Sequence, residues 1–84
     1  MVAVGDSALF HNGLNATELY HGTANTALRV NSLNKNKTGY DNTAVGYQAM
    51  YSNENGSANT ANGVLSLYKN STGQANTAVG YQSL

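Results

Sequence analysis

Eighty-four residues make at most one small domain, a length at which a single hydrophobic core is only marginally stabilising. Four basic residues balance four acidic ones, so there is no basic stripe of the kind that neutralises nucleic-acid phosphates. Cysteine, proline and tryptophan are absent, which excludes a disulfide framework and thiolate metal ligands. No apolar run approaches the roughly 18–20 residues that span a bilayer, and the opening MVAVGDSALF has no basic stretch before an apolar one. Neither membrane insertion nor a signal peptide is therefore expected from this segment.

The first element in chain order is the octet at 2–9, VAVGDSAL. A longer connection follows, with an insertion at 13–24 that delays the next octet by seven residues. Octets then recur every 17 residues, at 26–33, 43–50, 60–67 and 77–84. Four repeats open on Asn-Thr-Ala, at Asn25, Asn42, Asn59 and Asn76. Such recurrence argues against a disordered polar linker, despite the abundance of Asn, Gly, Ser and Thr.

Seventeen residues are too few for the helix pairs of α-solenoids and fall below the leucine-rich repeat. Thr-Ala-Val-Gly flanked by Asn and Gly reads as a short strand bounded by turns. The expected fold is all-β: a parallel β-solenoid of about five coils, with equivalent residues stacked about 4.8 Å apart. Residues 1–84 would form one repeat module, expected to be a fragment of a longer fibre.

Stacking turns each repeat position into a rank. Ala3, Ala27, Ala44, Ala61 and Ala78 form one without exception, and Leu9, Leu33, Met50, Leu67 and Leu84 another. Two Asn ranks, from Asn25 and from Asn36, invite side-chain ladders like those of cross-β stacks. The tolerance of Asn and Gly for left-handed backbone explains their place at turns such as Gly39 and Gly56. Arg29 stands where other octets carry Gly, which argues that this position does not demand a positive φ and that its side chain reaches solvent. Strand alternation from Arg29 then turns the Ala rank outward, with the Thr and Val ranks inward. An outward rank held to Ala suggests close packing of another subunit on Ala27, Ala44, Ala61 and Ala78.

The octets VAVGDSAL, TAVGYQAM and TAVGYQSL resemble the SVAIG-type head repeats of trimeric autotransporter adhesins. The longer pattern NTAVGYQAMYSN is similar to repeats of phage tail fibres and related surface proteins that carry an endosialidase-type chaperone domain. The resemblance implies a left-handed β-roll, a homotrimer and a structural or adhesive role outside the cell or on a virion, presenting loops to a host receptor or glycan.

Catalysis needs titratable groups that converge, and His11, His21, Asp6, Asp41, Glu18 and Glu54 fall in different coils and ranks. No enzyme activity, metal or cofactor is expected. Asn-x-Ser/Thr triplets at Asn15, Asn36, Asn55 and Asn70 reflect the composition. The candidate ligand contacts are aromatic or lie on the inserted loop: Tyr20, His21, Tyr47 and Tyr81. Two alternatives stand beside the fibre role. One is ice binding by the Thr26, Thr43, Thr60 and Thr77 rank; the other is end-to-end assembly into filaments.

Overall fold

The structure is a computed structural model and describes residues 2–5, 8 and 24–84. The chain winds as an all-β parallel solenoid, with no helix among these residues. Five three-residue strands form one sheet: β1 (Val2–Val4), β2 (Thr26–Leu28), β3 (Thr43–Val45), β4 (Thr60–Asn62) and β5 (Thr77–Val79). They pair in chain order, all parallel, with Ala27 beside Ala44 and Ala44 beside Ala61. About three complete turns lie between residues 24 and 76. Most of the insertion at 13–24 falls outside the described residues.

Hydrogen bonding between coils continues beyond the strands. Leu33, Met50 and Leu67 donate their amides to the carbonyls of Ala49, Ser66 and Ser83 at 2.9–3.0 Å. Gln48, Leu65 and Gln82 donate back to Val30, Tyr47 and Val64. Every coil must therefore trace the same path, so each side chain stands above its repeat equivalent.

That path requires left-handed backbone at fixed positions. Residues 31, 48, 65 and 82 have φ between 54° and 62°, and residues 33, 50, 67 and 84 between 49° and 54°. Ala24, Asp41, Ala58 and Ala75 do the same immediately before the Asn25 rank. A left-handed non-glycine residue costs roughly 1–2 kcal/mol, which the ladders on both sides must offset. The sequence expectation placed this demand on the Asn–Gly turns, and the structure moves it. Gly39 and Gly56 are glycine for lack of room: a Cβ on Gly56 would stand 2.5 Å from the Gly73 carbonyl oxygen and 2.4 Å from Asn53 Oδ1.

The interior is narrow and partly polar. Ala27, Ala44 and Ala61 are fully buried and Ala78 nearly so, packed with Leu33, Met50, Leu67 and Ala49. Thr26, Leu28, Thr43 and Val45 on either side of the Ala rank are half-exposed, and Val79 is exposed. The inward–outward assignment from sequence is thus reversed. Arg29 is the cause of the error. Its φ is +98°, close to the +128°, +136°, +139° and +122° of Gly5, Gly46, Gly63 and Gly80, so the position does demand a positive φ. The pleat ends at Leu28, and the direction of the Arg29 side chain says nothing about Ala27.

Both Asn ranks are buried up to Asn59 and Asn53 and partly buried at Asn76 and Asn70, and together they link the coils. Asn25, Asn42 and Asn59 use Oδ1 to accept the backbone amides of Asn42, Asn59 and Asn76 at 2.9–3.0 Å. Their Nδ2 groups donate to the carbonyls of Gly39, Gly56 and Gly73. In the second rank Asn53 Nδ2 donates to Asn36 Oδ1 at 2.9 Å, and Asn70 Nδ2 to Asn53 Oδ1 at 3.1 Å. This rank also donates to the same glycine carbonyls. Among the described residues no buried side-chain polar atom lacks a partner.

Removing one rung should therefore be costly. Asn42→Ala leaves the Asn59 amide without its acceptor and is expected to lower stability by about 3 kcal/mol, against about 0.5 kcal/mol or less for exposed Asn55→Ala. Urea titration followed by circular dichroism checks both. Arg29→Gly should act in the opposite sense, raising stability by about 1 kcal/mol as it removes a strained φ. A loss in the same titration would show that the Arg29 side chain makes a compensating contact.

Candidate functional site

Three outward ranks meet on one face of the stack. The first is Val2, Thr26, Thr43, Thr60 and Thr77, from the leading residue of each strand. The second comes from the last strand residue: Val4, Leu28, Val45, Asn62 and Val79. The third lies two residues further on: Val30, Tyr47, Val64 and Tyr81. Side chains one residue either side of the buried Ala must point away from the core, since a strand alternates its faces.

The exposure of this face is unusual for its chemistry. Val2, Val4, Val30, Tyr47, Val64, Val79 and Tyr81 are all exposed, with Val79 at 71% and Tyr81 at 69%. Among the described residues none of the three ranks carries a charge, and Arg29 is the one cation beside them; the sequence equivalent of Val30 in the first octet, Asp6, lies outside the described residues. Val30, Val45, Tyr47, Asn62 and Val64, with Arg29, line a shallow groove of about 440 Å³ on this face. A contiguous apolar surface of this kind marks an interaction site more often than a solvated wall.

Charged groups gather elsewhere. Lys37 and Glu54 pair at 3.4 Å across adjacent coils, beside a 2.7 Å hydrogen bond from Thr38 Oγ1 to Asn55 Oδ1. Both ends of the ion pair are solvated, which limits it to about 1 kcal/mol. Tyr51 and Tyr68 stack with centroids 5.4 Å apart and planes 9° apart, and Lys35 lies 5.5 Å from the Tyr51 centroid. Beside this small column, Tyr68 lines an open groove of about 560 Å³ with Gln48, Leu65, Lys69, Gln82 and Leu84.

The residues singled out from sequence fare differently. Tyr47 and Tyr81 share one rank on the apolar face, two coils apart with Val64 between them. Tyr20 and His21 lie outside the described residues. Ala27, Ala44, Ala61 and Ala78 are buried within their own chain, so they offer a neighbouring subunit no surface. The Thr rank, expected inward, faces out; Thr60 and Thr77 are exposed. Of the Asn-x-Ser/Thr triplets, Asn36 and Asn70 are rungs of the buried ladder and Asn55 is exposed. Among the described residues no group of three His, Asp or Glu could hold a metal ion, and no helix is long and apolar enough to cross a membrane.

Sequence reasoning missed Val30, Val64 and the Leu28 rank. The available signal was size: a rank restricted to Ala fits a narrow interior, whereas the flanking ranks vary freely between Val, Leu, Asn and Thr.

Fold and site together define a short-coil parallel β-solenoid with one largely apolar outer face among the described residues. No protein-family model, curated protein or solved structure matches the chain.

The two neighbouring ranks should respond oppositely to substitution. Val45→Lys places its charge in solvent and should change the stability of the single chain by about 0.5 kcal/mol or less. Ala44→Leu overfills a fully buried rank and should cost about 2 kcal/mol or more. Thermal denaturation of both variants at low concentration distinguishes the assignment from its reverse.

Proposed function

We propose that the chain is a non-enzymatic length of structural and adhesive fibre, in which three copies associate around a common axis on a virion or bacterial surface. Its coils would be five, one for each octet, and its winding left-handed, as in the adhesin head repeats and phage tail fibres that its octets resemble. The observation that carries the reading is the largely apolar outer face of Val4, Val30, Tyr47, Val64, Val79 and Tyr81, exposed in the single chain, with Leu28 and Val45 half-exposed between them.

Physical argument favours three copies over two. Five strands at about 4.8 Å give a face on the order of 20 Å tall. A standard stable interface buries ~800 Å² per partner, which two contacts reach more readily than one on a face of this height. Closing three chains into a ring gives each of them two contacts. In this arrangement Tyr47 and Tyr81 serve association, and contact with a host glycan or receptor falls to the connection at 13–24 with Tyr20 and His21.

Light scattering and sedimentation between 1 and 100 µM test the proposal. The expected mass is that of three chains, with Val45→Lys reduced to a folded monomer. A native chain that stays monomeric at 100 µM sinks the trimer.

A second reading, ice binding, draws support from the outward direction of Thr26, Thr43, Thr60 and Thr77, one rank with strand spacing. Projecting Tyr47 and Tyr81 roughen that face, which favours association. Thermal hysteresis from a monomeric chain would reverse the order of the two readings. End-to-end assembly into filaments is a third possibility, which electron microscopy of the pure protein would reveal.

A further inference from the structure

Asn62 interrupts an otherwise apolar outward rank. Val45 stands beside it on one strand and Val79 on the other, and its chain neighbours are buried Ala61 and, just past the strand, Gly63. Its side-chain amide is exposed and makes no hydrogen bond with any other described residue. Nothing in the fold of the single chain requires an amide here.

A repeat face has a problem that an irregular face lacks. Shifting one copy past another by a single coil, about 4.8 Å, brings Val, Leu and Thr back onto Val, Leu and Thr. The alternation Val30, Tyr47, Val64, Tyr81 penalises a one-coil slip but is restored by a slip of two. Within its own outward rank Asn62 has no polar equivalent in any other coil, so in that apolar rank it distinguishes every register.

We propose that Asn62 sets the register of self-association. The occupant of the face is a second copy of this chain, because a largely apolar face with coil-spaced ranks is matched in pitch by its own copy. In a cyclic assembly about an axis parallel to the stack, equivalent residues lie at one height. The Asn62 amides then stand level and hydrogen-bond one another. A slipped copy sets its Asn62 against Val45 or Val79 of its neighbour, and an amide is desolvated without a partner. That difference favours the level arrangement by roughly tenfold or more. A lone polar residue in an apolar seam acts in the same way in coiled coils, where it fixes register at some cost in affinity.

The proposal deepens the association reading and rests on it, so the experiment separates the two. The chain has no native cysteine. Two variants, Leu28→Cys and Val45→Cys, place single thiols in the same rank one coil apart. They are mixed, allowed to assemble and slowly oxidised, and the disulfides are mapped by mass spectrometry while sedimentation gives the mass. With Asn62 present, bonds joining like positions should dominate. With Asn62→Val added to both, bonds between positions 28 and 45 should rise at least tenfold relative to like pairs, and association should tighten. A trimer whose ratio of unlike to like bonds does not change, or which forms no bond from this rank, overturns the role of Asn62 and leaves the trimer standing. A monomeric mass for the native chain overturns the association reading, and this proposal with it.

Discussion

Two ranks of asparagine run through the complete turns, and their amides are what the rest of the architecture depends on. A coil of 17 residues is too narrow to hold the aliphatic layers of a larger domain. Its interior contains Ala, a single Leu or Met per turn, and polar side chains. Burial of polar groups is tolerable only when every donor and acceptor is used, and the two Asn ranks achieve this by addressing neighbouring coils and the glycine carbonyls together. The same bonds forbid any coil from drifting relative to the next. Asparagine here acts as a coupling between turns, a role that neither Ser nor an aliphatic residue could take in this geometry.

Narrowness has two further consequences. It confines the inward strand position to Ala, and it pushes larger apolar residues outward. A thin solenoid therefore has more Val, Leu and Tyr than it can enclose, and the surplus collects in ranks on the sheet face. The outer face follows from the size of the inner one. The tight path also explains the backbone: four left-handed positions per turn, three of them commonly filled by residues other than glycine, persist because the ladders on both sides hold them. Arg29 at a glycine position is the extreme case, and its conformation shows how strongly the neighbouring coils impose their path.

Departures from a repeat carry more information than the repeat itself. Arg29 and Asn62 both stand at one face, and both would be replaced in an idealised array. Asn62 has a physical purpose under self-association, where translational degeneracy must be broken. Arg29 has no structural account beyond tolerance of its strain.

The repeat length, the positions of the strands and their register were legible in the sequence, because stacking requires identical residues to stand above one another. Thr26, Thr43, Thr60 and Thr77 begin strands that the spacing of the octets already marks. The Asn ranks were legible for the same reason. Which side of the strand faces the core could not be read from the pattern, since a three-residue strand carries too little alternation, and its one apparent anchor, Arg29, lies beyond the pleat. Only the tertiary structure settled it, by closing the coil so tightly that nothing larger than Ala fits beneath the strand. The sequence by itself determined a stack; the curvature of the closed turn decided which residues it hides and which it presents.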